Sequence, residues 1–404
     1  MSHTILASAE FFIRWQSTDT RHTDHEYFPA VDFGRDIFPA DLGERMQAAG
    51  PGASRELAMA AGEQHIPGVT ADNLRDLPRR GLDLAFATRH LPGPFRGRFY
   101  PRGWLSNDTA IGAIFKGDMQ PFRVVGLGDE RIQVDLNHPL GAYPLTVGGN
   151  ICQILAGREQ FVGRCNDIVA DIARQGPGMQ CRPLEGTVDF IHSRAFARED
   201  ASTDSDFYRT PRLVQHIDAR ARDIINHLYR RSIPPDATVL DLMSSWVSHL
   251  DAIPDSVTVS GLGMNAAELR ENPHLTDYVV QDLNRDPRLP YDEGSFDVVV
   301  CSVSVEYLVS PFDVFVELAR VLKPGGRCIV TFSDRWFPPK VIRLWTELHP
   351  FERMGLVLEY FRHSGHFTRM TTESWRGWPR PGDDKYYPQR RTADPVYAVS
   401  GQRS

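Results

Sequence analysis

The sequence predicts an α/β protein in two parts: a mostly parallel, doubly wound sheet in the C-terminal half and a mostly antiparallel α+β region before it. Apolar β-type runs in the second half alternate with helical patterns, which is typical of right-handed βαβ units. Two of these runs end in an acid, Asp241 and Asp282, where an open α/β sheet forms its ligand crevice. The first half shows short strands and turns without this alternation.

Four apolar runs predict the first strands of the parallel sheet. Residues 237–241 form the first strand, and residues 257–265 form a second that opens onto a glycine turn and a helix at 266–270. Residues 278–282 make a third strand. Residues 296–304 are an almost uninterrupted β-branched run, as expected for a strand buried on both faces.

A helix and two further strands complete this predicted sheet. Ser310 supplies a hydroxyl for the N-cap of the helix, and Pro311 suits its first turn. The proline and glycines of 323–326 end the helix and turn the chain into a fifth strand at 328–332. Residues 395–400 are predicted as the last strand, which runs antiparallel.

The first half predicts an α+β domain with a β-meander. A Gly-Asp turn at 128–129 joins two of the meander's strands. Its expected elements are strands at 5–16, 55–60, 115–118, 122–127, 131–135 and 145–155, and a short helix at 42–47.

Composition bounds the class of protein. A chain of 404 residues favours two domains, and a net charge of −7 argues against a broad nucleic-acid surface. No apolar run is long enough to cross a bilayer, and the N-terminus lacks the basic region of a signal peptide, so we expect a cytoplasmic protein. The cysteines lack CxxC spacing, which favours free thiols over disulfides or a metal site. They are Cys152, Cys165, Cys181, Cys301 and Cys328.

Five motifs carry a resemblance to a known family. VLDLMSS, VVQDLN, LPYDEGSFDVVV, EYL and RVLKPGGRCIV stand in the order, and nearly the spacing, of class I S-adenosylmethionine (SAM)-dependent methyltransferases. The resemblance covers about residues 205–400. It implies a Rossmann-like domain at 205–404 with an N-terminal cap helix, and SAM as the cofactor.

The resemblance also implies a cofactor site, with two departures from the family pattern. Asp241 matches the acid that helps to hold the amino-acid end of SAM, but the usual Gly-x-Gly after it is absent. Gly263 stands where the family has the acid that binds the ribose, and Asn265 is our candidate replacement. Asp282 matches the acid that binds the adenine amino group. The remaining expected cofactor residues are Met243, Ser244, Ser245, Met264, Gln281, Leu283, Cys301 and Ser302.

Residues near the cap helix and after two of the strand ends are expected to bind or activate the substrate. Apolar residues at helical spacing over 213–228 predict the cap helix. His216, Tyr208 and Tyr307 are the candidates for orienting or deprotonating the nucleophile. Arg212 and Trp246 are the candidate substrate contacts.

The N-terminal half carries a second resemblance. VDLNHPLGAYPLTV at 134–147 resembles the segment that closes the inserted flap of FKBP-type prolyl isomerases of the SlyD class, and IFPADLGERM matches that family more loosely. This implies an FKBP-like domain at 1–160 with a flap insertion near 62–135, and a linker at 161–204. Tyr27 and Phe38 would line its isomerase pocket, and its partner would be a proline-containing protein. The family's histidine-rich tail is missing, so no metal is expected.

Several functions remain open on the sequence. Methyl transfer from a sulfonium is an in-line displacement that depends chiefly on orientation. A thiol needs little help from a base, and the sequence offers neither a dedicated base nor a metal, so a small thiol or sulfide is the expected substrate. The alternatives are a protein methyltransferase or isomerase-type chaperone whose FKBP-like half recruits clients, and a non-catalytic SAM-binding module.

Overall fold

A computed structural model describes residues 5–63, 66–82, 93–105, 115–155 and 164–404. The chain forms two compact units. The first comprises the described parts of 1–17, 23–195 and 347–356. The second comprises 18–22, 196–346 and 357–404.

The first unit is built on antiparallel strands. One sheet has the order β2-β1-β8-β3, and a smaller one has the order β4-β7-β6-β5. Its elements are β1 (Leu6–Gln16), β2 (Thr20–Asp32), α1 (Leu42–Ala49), β3 (Arg55–Met59), β4 (Leu74–Pro78), β5 (Phe99–Pro101), β6 (Pro121–Leu127), β7 (Arg131–Asp135), β8 (Leu145–Ile154) and α2 (Ile168–Ala173).

The predicted meander is right in two of its three strands. Strands β6 and β7 pair antiparallel around the turn that follows Leu127. Residues 115–118 form a turn instead of a strand, closed by a hydrogen bond from the Asp118 N–H to the Phe115 carbonyl. The third strand is β5, which pairs with β6.

The two residues placed in an isomerase pocket lie in the first unit. Phe38 stacks on Phe33 with ring centroids 5.0 Å apart and packs against the main apolar core of the unit. Tyr27 is half-buried in β2. Packing against a core is a sufficient reason for an aromatic residue at position 38, and the FKBP resemblance stays a prediction.

The second unit contains the predicted doubly wound sheet. Strands β9 to β13 are parallel, and β14 and β15 are antiparallel. Its elements are α3 (Asp204–Phe207), α4 (Ala219–Ser232), β9 (Thr238–Ser244), β10 (Thr258–Gly263), α5 (Ala266–Glu271), β11 (Asp277–Val280), β12 (Phe296–Ser302), α6 (Pro311–Val321), β13 (Leu322–Phe332), α7 (Arg343–Glu347), α8 (Pro350–Ser364), β14 (Phe367–Arg376) and β15 (Val396–Arg403).

The strand order within this unit is β11-β10-β9-β12-β13-β15-β14. Strands β10 and β11 are therefore added on one side of β9, and β12 and β13 are added on the other side of β9. This reversal makes the boundary between β9 and β12 a topological switch point. Ligands of open α/β sheets bind outside the carboxyl ends of the strands at such a point. The prediction of five parallel strands and a final antiparallel one is confirmed.

Three local predictions were wrong. The cap helix begins at Ala219 with the Asp218 side chain as its N-cap, so Leu213 and Ile217 precede it. The Ser310 side chain makes no cap hydrogen bond to α6. The helix α6 ends at Val321 before the proline and glycines are reached, and β13 includes them.

The apolar side of α4 packs against the sheet. Ile225, Leu228 and Tyr229 are buried in one cluster with residues of β9, β12 and β15. This packing fixes the segment that precedes α4 beside the carboxyl ends of the strands. All five cysteines are free thiols, as predicted. Within the described ranges, the structure has no helix with the length and apolar character to cross a membrane.

Candidate functional site

A cavity of about 410 Å³ opens at the carboxyl ends of the parallel strands in the second unit. Every predicted catalytic and substrate residue lines it, and so does every predicted cofactor residue except Cys301. Cys301 is 1% exposed and lies inside β12, paired with Leu242 and Val330. The lining residues from the prediction are Tyr208, Arg212, His216, Asp241, Met243, Ser244, Ser245, Trp246, Gly263, Met264, Asn265, Gln281, Asp282, Leu283, Ser302 and Tyr307.

Asp241 is the most deeply buried acid of the cavity, at 2% exposure. Its Oδ2 accepts hydrogen bonds from the hydroxyls of Ser244 at 2.5 Å and Ser248 at 2.6 Å. Burial raises the pKa of Asp241 to about 7, and the two serine hydrogen bonds only partly oppose it. The site therefore holds a carboxyl group that changes charge near neutral pH.

The chain segment after Asp241 explains how the cavity is built without Gly-x-Gly. Met243 takes the left-handed backbone conformation, with φ of 57°, which a non-glycine residue rarely adopts. Strand β9 continues to Ser244, whose register partner in β10 is Gly263. A Cβ atom at position 263 would collide with the Ser244 carbonyl oxygen. An acid at position 263 is therefore excluded by the path of the neighbouring strand.

We expect glycine to be more stable than alanine at position 243 by about 1 kcal/mol, because alanine retains the steric cost of the left-handed conformation. Comparing Met243→Gly with Met243→Ala cancels the loss of the methionine side chain. Met264 also lines the cavity but is absent from the residues with positive φ. At Met264 the order of stability should reverse, so that the alanine variant is more stable than the glycine variant by about 0.5–1 kcal/mol. Urea unfolding of the four variants measures both differences, and the same order at both positions would contradict the interpretation.

Asn265, the predicted replacement for the missing acid, is engaged in local hydrogen bonds. Its Oδ1 caps α5 by accepting from the N–H groups of Ala267 and Glu268. Its amide nitrogen donates to the carbonyls of Tyr208 and Arg209 at 2.8 Å and 3.1 Å. The side chain thus links α5 to the segment before the cap helix, and a role toward ribose stays a prediction.

Glu268 is a buried acid of the cavity that the sequence analysis missed. It accepts hydrogen bonds from the Arg212 N–H at 2.7 Å and from the Ser245 hydroxyl at 2.7 Å. The sequence held a clue, because an acid three residues after an N-cap asparagine matches a capping box. In the structure this acid instead joins three elements of the cavity wall.

Asp282 follows β11 and lines the cavity next to Gln281. Its Oδ1 accepts a hydrogen bond from the Asn284 N–H at 2.9 Å, which orders the turn. The Gln281 side chain donates to the carbonyls of Asp286 and Arg288 and closes the same turn. Asp282 therefore has the local role of a turn-forming acid in a residue that also lines the cavity.

Arg212 lies among aromatic rings at the cavity wall. Its guanidinium carbon is 4.5 Å from the Phe207 ring centroid and 5.4 Å from that of Phe337. Nη2 donates to the Phe207 carbonyl at 2.9 Å. Nη1 is buried and has no hydrogen-bond partner within the described part of the chain. A buried donor without a partner costs free energy, so this atom favours a ligand that accepts a hydrogen bond.

The three predicted catalytic residues differ in their electrostatics. Burial raises the pKa of Tyr208 and of Tyr307, whose hydroxyl accepts a hydrogen bond from the Phe337 N–H at 2.8 Å. Desolvation lowers the pKa of His216, whose ring meets Phe337 edge-on at 5.1 Å. At neutral pH the imidazole of His216 is therefore the residue of the three that can accept a proton.

Several cations and aromatics of the cavity were also missed. Arg335 is the third residue after β13, a position that the end of a predicted parallel strand could have indicated. Lys385 and Tyr386 belong to the segment between β14 and β15, which no motif connects to the sheet. Only the folded chain brings them to the cavity.

The residues present fit SAM as a ligand. The cavity has the volume of a small-molecule site and offers carboxylates at the ends of β9 and β11 for the polar groups of the cofactor. Arg212 Nη1 supplies a buried donor suited to a carboxylate. In the residues that the structure describes, no group of three or more His, Cys, Asp or Glu side chains is placed to hold a metal ion.

Comparison with known families and proteins bears on the same unit. The family model for the methyltransferase domain (type 11) matches residues 249–330. A malonyl-[acyl-carrier protein] O-methyltransferase of Marinomonas sp. (strain MWYL1) is 35% identical over 105 residues, which are 24% of this chain and 38% of that protein. A ubiquinone/menaquinone biosynthesis C-methyltransferase UbiE of Bartonella quintana (strain Toulouse) is 29% identical over 150 residues, 36% of this chain and 50% of the relative.

The chain thus spans half or less of the length of these curated relatives. A solved SAM-dependent methyltransferase from Aquifex aeolicus is 14% identical and covers 50% of this chain and all of its own, with a TM-score of 0.33. The family match and the curated relatives agree with the methyltransferase motifs of the sequence. Residues 249–330 of the second unit therefore match a methyltransferase domain, and this match and the relatives imply S-adenosylmethionine as the cofactor.

Proposed function

We propose that this protein transfers the methyl group of SAM to a small-molecule nucleophile bound at the mouth of the cavity. The observation that carries this proposal is the convergence of Asp241, Asp282 and Ser302, at or just after the ends of three parallel strands, on one cavity. When bound, SAM would supply a methyl group activated by a sulfonium. The chain would bind both reactants, orient them and take up the proton that the acceptor releases.

The aromatic residues that line the cavity would orient the methyl acceptor. Phe337 packs against His216, Tyr307 and Phe207, with ring centroids between 5.1 Å and 6.0 Å apart. Such a wall excludes water and holds a flat or apolar acceptor. In-line displacement depends on this alignment, because well-oriented reactants avoid most of the entropy cost of meeting.

A small thiol or sulfide is our first choice of acceptor. A thiol ionises near pH 8.5, so it needs only a weak base, and His216 in its neutral form can serve. A sulfide attacks without losing a proton at all. Neither substrate requires the elevated basicity that the buried tyrosines Tyr208 and Tyr307 would have as phenolates.

Oxygen is the second candidate nucleophile. The relative that is 35% identical over 105 residues is named as an O-methyltransferase. An alcohol requires a positioned base, and His216 is placed in the cavity with a lowered pKa. Carbon is a third candidate, because the 29% identical relative is named as a C-methyltransferase. The described residues of the cavity do not favour carbon over sulfur or oxygen.

A methyl-transfer assay with radiolabelled SAM tests the proposal. We expect labelled product with members of a panel of small thiols, sulfides and alcohols, and S-adenosylhomocysteine formed in equal amount. SAM that binds while no panel member is labelled would contradict the small-molecule assignment. A proline-containing peptide in the same panel tests the alternative that the first unit recruits a protein client.

His216 should decide between the two nucleophile classes. We expect His216→Gln to lower kcat for an alcohol by about 100-fold, the usual contribution of a general base, and to change kcat for a sulfide by less than about threefold. His274, which does not line the cavity and whose Nε2 lies 3.0 Å from the exposed Asp251, gives a matched control. An equal loss with both acceptors would indicate that His216 shapes the cavity instead of accepting a proton.

A further inference from the structure

One side of the cavity, which we call the cationic rim, consists of Arg335, Lys385 and Tyr386. The Tyr386 hydroxyl and Arg335 Nη2 are 3.0 Å apart, and the arginine lies 4.6 Å from the centroid of the tyrosine ring. Lys385 Nζ is 5.1 Å from the same centroid. Two positive charges therefore converge on one aromatic residue that faces the cavity.

Acids lie near the rim, since the charge of Lys385 acts on Asp384 and that of Arg335 acts on Asp334. Within the described residues, Arg335 and Lys385 form no salt bridge. Arg380 and Arg390 add positive charge near the same ring, at 6.0 Å and 5.8 Å from its centroid. Arg380 is paired with Asp218, Asp384 and Asp394, whereas the rim cations have no direct ion pair in the described part of the chain.

The acids of the cavity lie elsewhere and are already engaged. Asp204 is paired with Arg198 at 2.7 Å and with Lys340 at 3.3 Å. Asp241 is held by two serine hydroxyls, and burial raises its pKa to about 7. Asp204 and Asp241 thus have partners inside the cavity, whereas no ion pair joins the rim cations to an acid of the described residues.

Tyr386 reports the potential at the rim. The hydrogen bond from Arg335 and the charges of Arg335 and Lys385 lower the pKa of the Tyr386 phenol. The same field that stabilises a phenolate would stabilise any other anion placed there. The buried tyrosines of the cavity, Tyr208 and Tyr307, have raised pKa values, so this preference for negative charge is particular to the rim.

From these observations we infer that the methyl acceptor carries a carboxylate, which binds to Arg335 and Lys385 at the rim while its nucleophilic atom points toward the end of β12. A planar guanidinium matches a carboxylate with two parallel hydrogen bonds, and Lys385 adds a mobile point charge. This inference rests on the proposed methyl transfer and names the substrate class for it. It also predicts that salt weakens acceptor binding, since Lys385 is exposed to solvent.

Two matched pairs of acceptors test the inference. The first pair is 3-mercaptopropionate and its amide, and the second is 4-hydroxybenzoate and its amide. Each pair keeps size and nucleophile and changes only the charge. We expect KM for the acid to be at least about tenfold below that for the amide, with similar kcat. Equal KM values within both pairs would overturn the inference.

Variants locate the effect at the rim. Arg335→Gln and Lys385→Gln should each raise KM for the acid by about tenfold and leave KM for the amide unchanged. Arg390→Gln is the matched control, because Arg390 faces the same ring from outside the cavity. A loss of the same size in Arg390→Gln, or a rise in KM for acid and amide alike, would contradict a specific carboxylate site.

A binding measurement separates this inference from the proposed function. Titration of 3-mercaptopropionate into the full chain loaded with S-adenosylhomocysteine requires no catalysis. Binding of the acid but not of its amide would support a carboxylate site at the rim, even if neither compound were methylated. In that case only the proposal of a thiol acceptor would be contradicted. Equal or absent binding of both would overturn the rim inference, whatever the methyl-transfer assay gives.

Discussion

Replacing Asp241 by asparagine is expected to lower the affinity for SAM by about 100-fold, because hydrogen bonds to a charged group contribute about 1.5–3 kcal/mol. The substitution keeps an oxygen for the hydroxyls of Ser244 and Ser248, so the fold should survive. Calorimetric titration of SAM into both proteins measures the change. Asp251→Asn is the matched control, since Asp251 is 63% exposed in its side chain and does not line the cavity.

The same substitution has an effect on stability that depends on pH. Burial raises the pKa of Asp241 from 3.8 to about 7, so over this interval the folded chain keeps a proton that the unfolded chain has released. The free energy of unfolding contributed by this group is fully present below about pH 4 and is lost as the pH rises to about 7. Asp241→Asn should lack this decline.

Affinity for SAM should change in the opposite direction over that interval. In the proposed complex the ionised carboxylate would attract the ammonium group of the cofactor, so wild-type affinity should rise as the pH approaches and passes about 7. The Asn variant should show no such rise. Identical pH profiles of stability and of SAM affinity in the two proteins would show that Asp241 plays neither part.

Replacing Gly263 by alanine is expected to lower the free energy of unfolding by about 3 kcal/mol and to abolish SAM binding in the chains that remain folded. The added Cβ would meet the Ser244 carbonyl oxygen, which is backbone and belongs to the adjacent strand. The edges of β9 and β10 would have to separate at the mouth of the cavity. Urea unfolding and SAM titration at low temperature measure the two effects.

Gly261→Ala in the same strand provides the comparison. Its Cβ would meet the Cδ1 atom of Leu275 at 2.5 Å, which is the end of a flexible side chain. Rotation of that side chain should limit the loss of stability to about 1 kcal/mol and leave SAM binding intact. Equal effects of the two substitutions would show that the contact between Gly263 and Ser244 is not what fixes the cavity.

The sequence could predict which residues lie at the strand ends, because strand ends are defined by local pattern. β-type runs identify the carboxyl ends of β9, β10 and β12, and parallel pairing then brings those ends together. The acid that ends the first run identified Asp241, whereas Gly263 and Ser302 came from the family resemblance, and all three line the cavity. Cys301 does not line the cavity although its neighbour Ser302 does, because successive side chains of a strand point to opposite faces of the sheet.

The two departures from the family pattern could not be understood from the sequence, because they depend on each other in space. Met243 takes a left-handed conformation and Ser244 extends β9 by the residue whose carbonyl faces Gly263. A serine loop and a glycine in place of the acid are therefore one structural feature. A single sequence shows the two changes 19 positions apart and gives no sign that they touch.

Two residues on the proposed acceptor side, Lys385 and Tyr386, could not be predicted from the sequence. Lys385 and Tyr386 lie in an irregular segment, where neither periodicity nor a motif fixes the position of a side chain. The predicted cap helix began several residues too early because the apolar spacing continues through Leu213 and Ile217, while Asp218 provides the N-cap. The N-cap hydrogen bond of Asp218, and not the apolar periodicity, therefore determines where the helix begins.

Calorimetric titration of SAM into the full-length chain is the most direct measurement of whether this cavity is a cofactor site. We expect saturable heat with one site per chain and a marked loss in Asp241→Asn. No saturable heat at SAM concentrations up to about 1 mM, in a chain that unfolds cooperatively and is therefore folded, would contradict the assignment of the cavity to SAM.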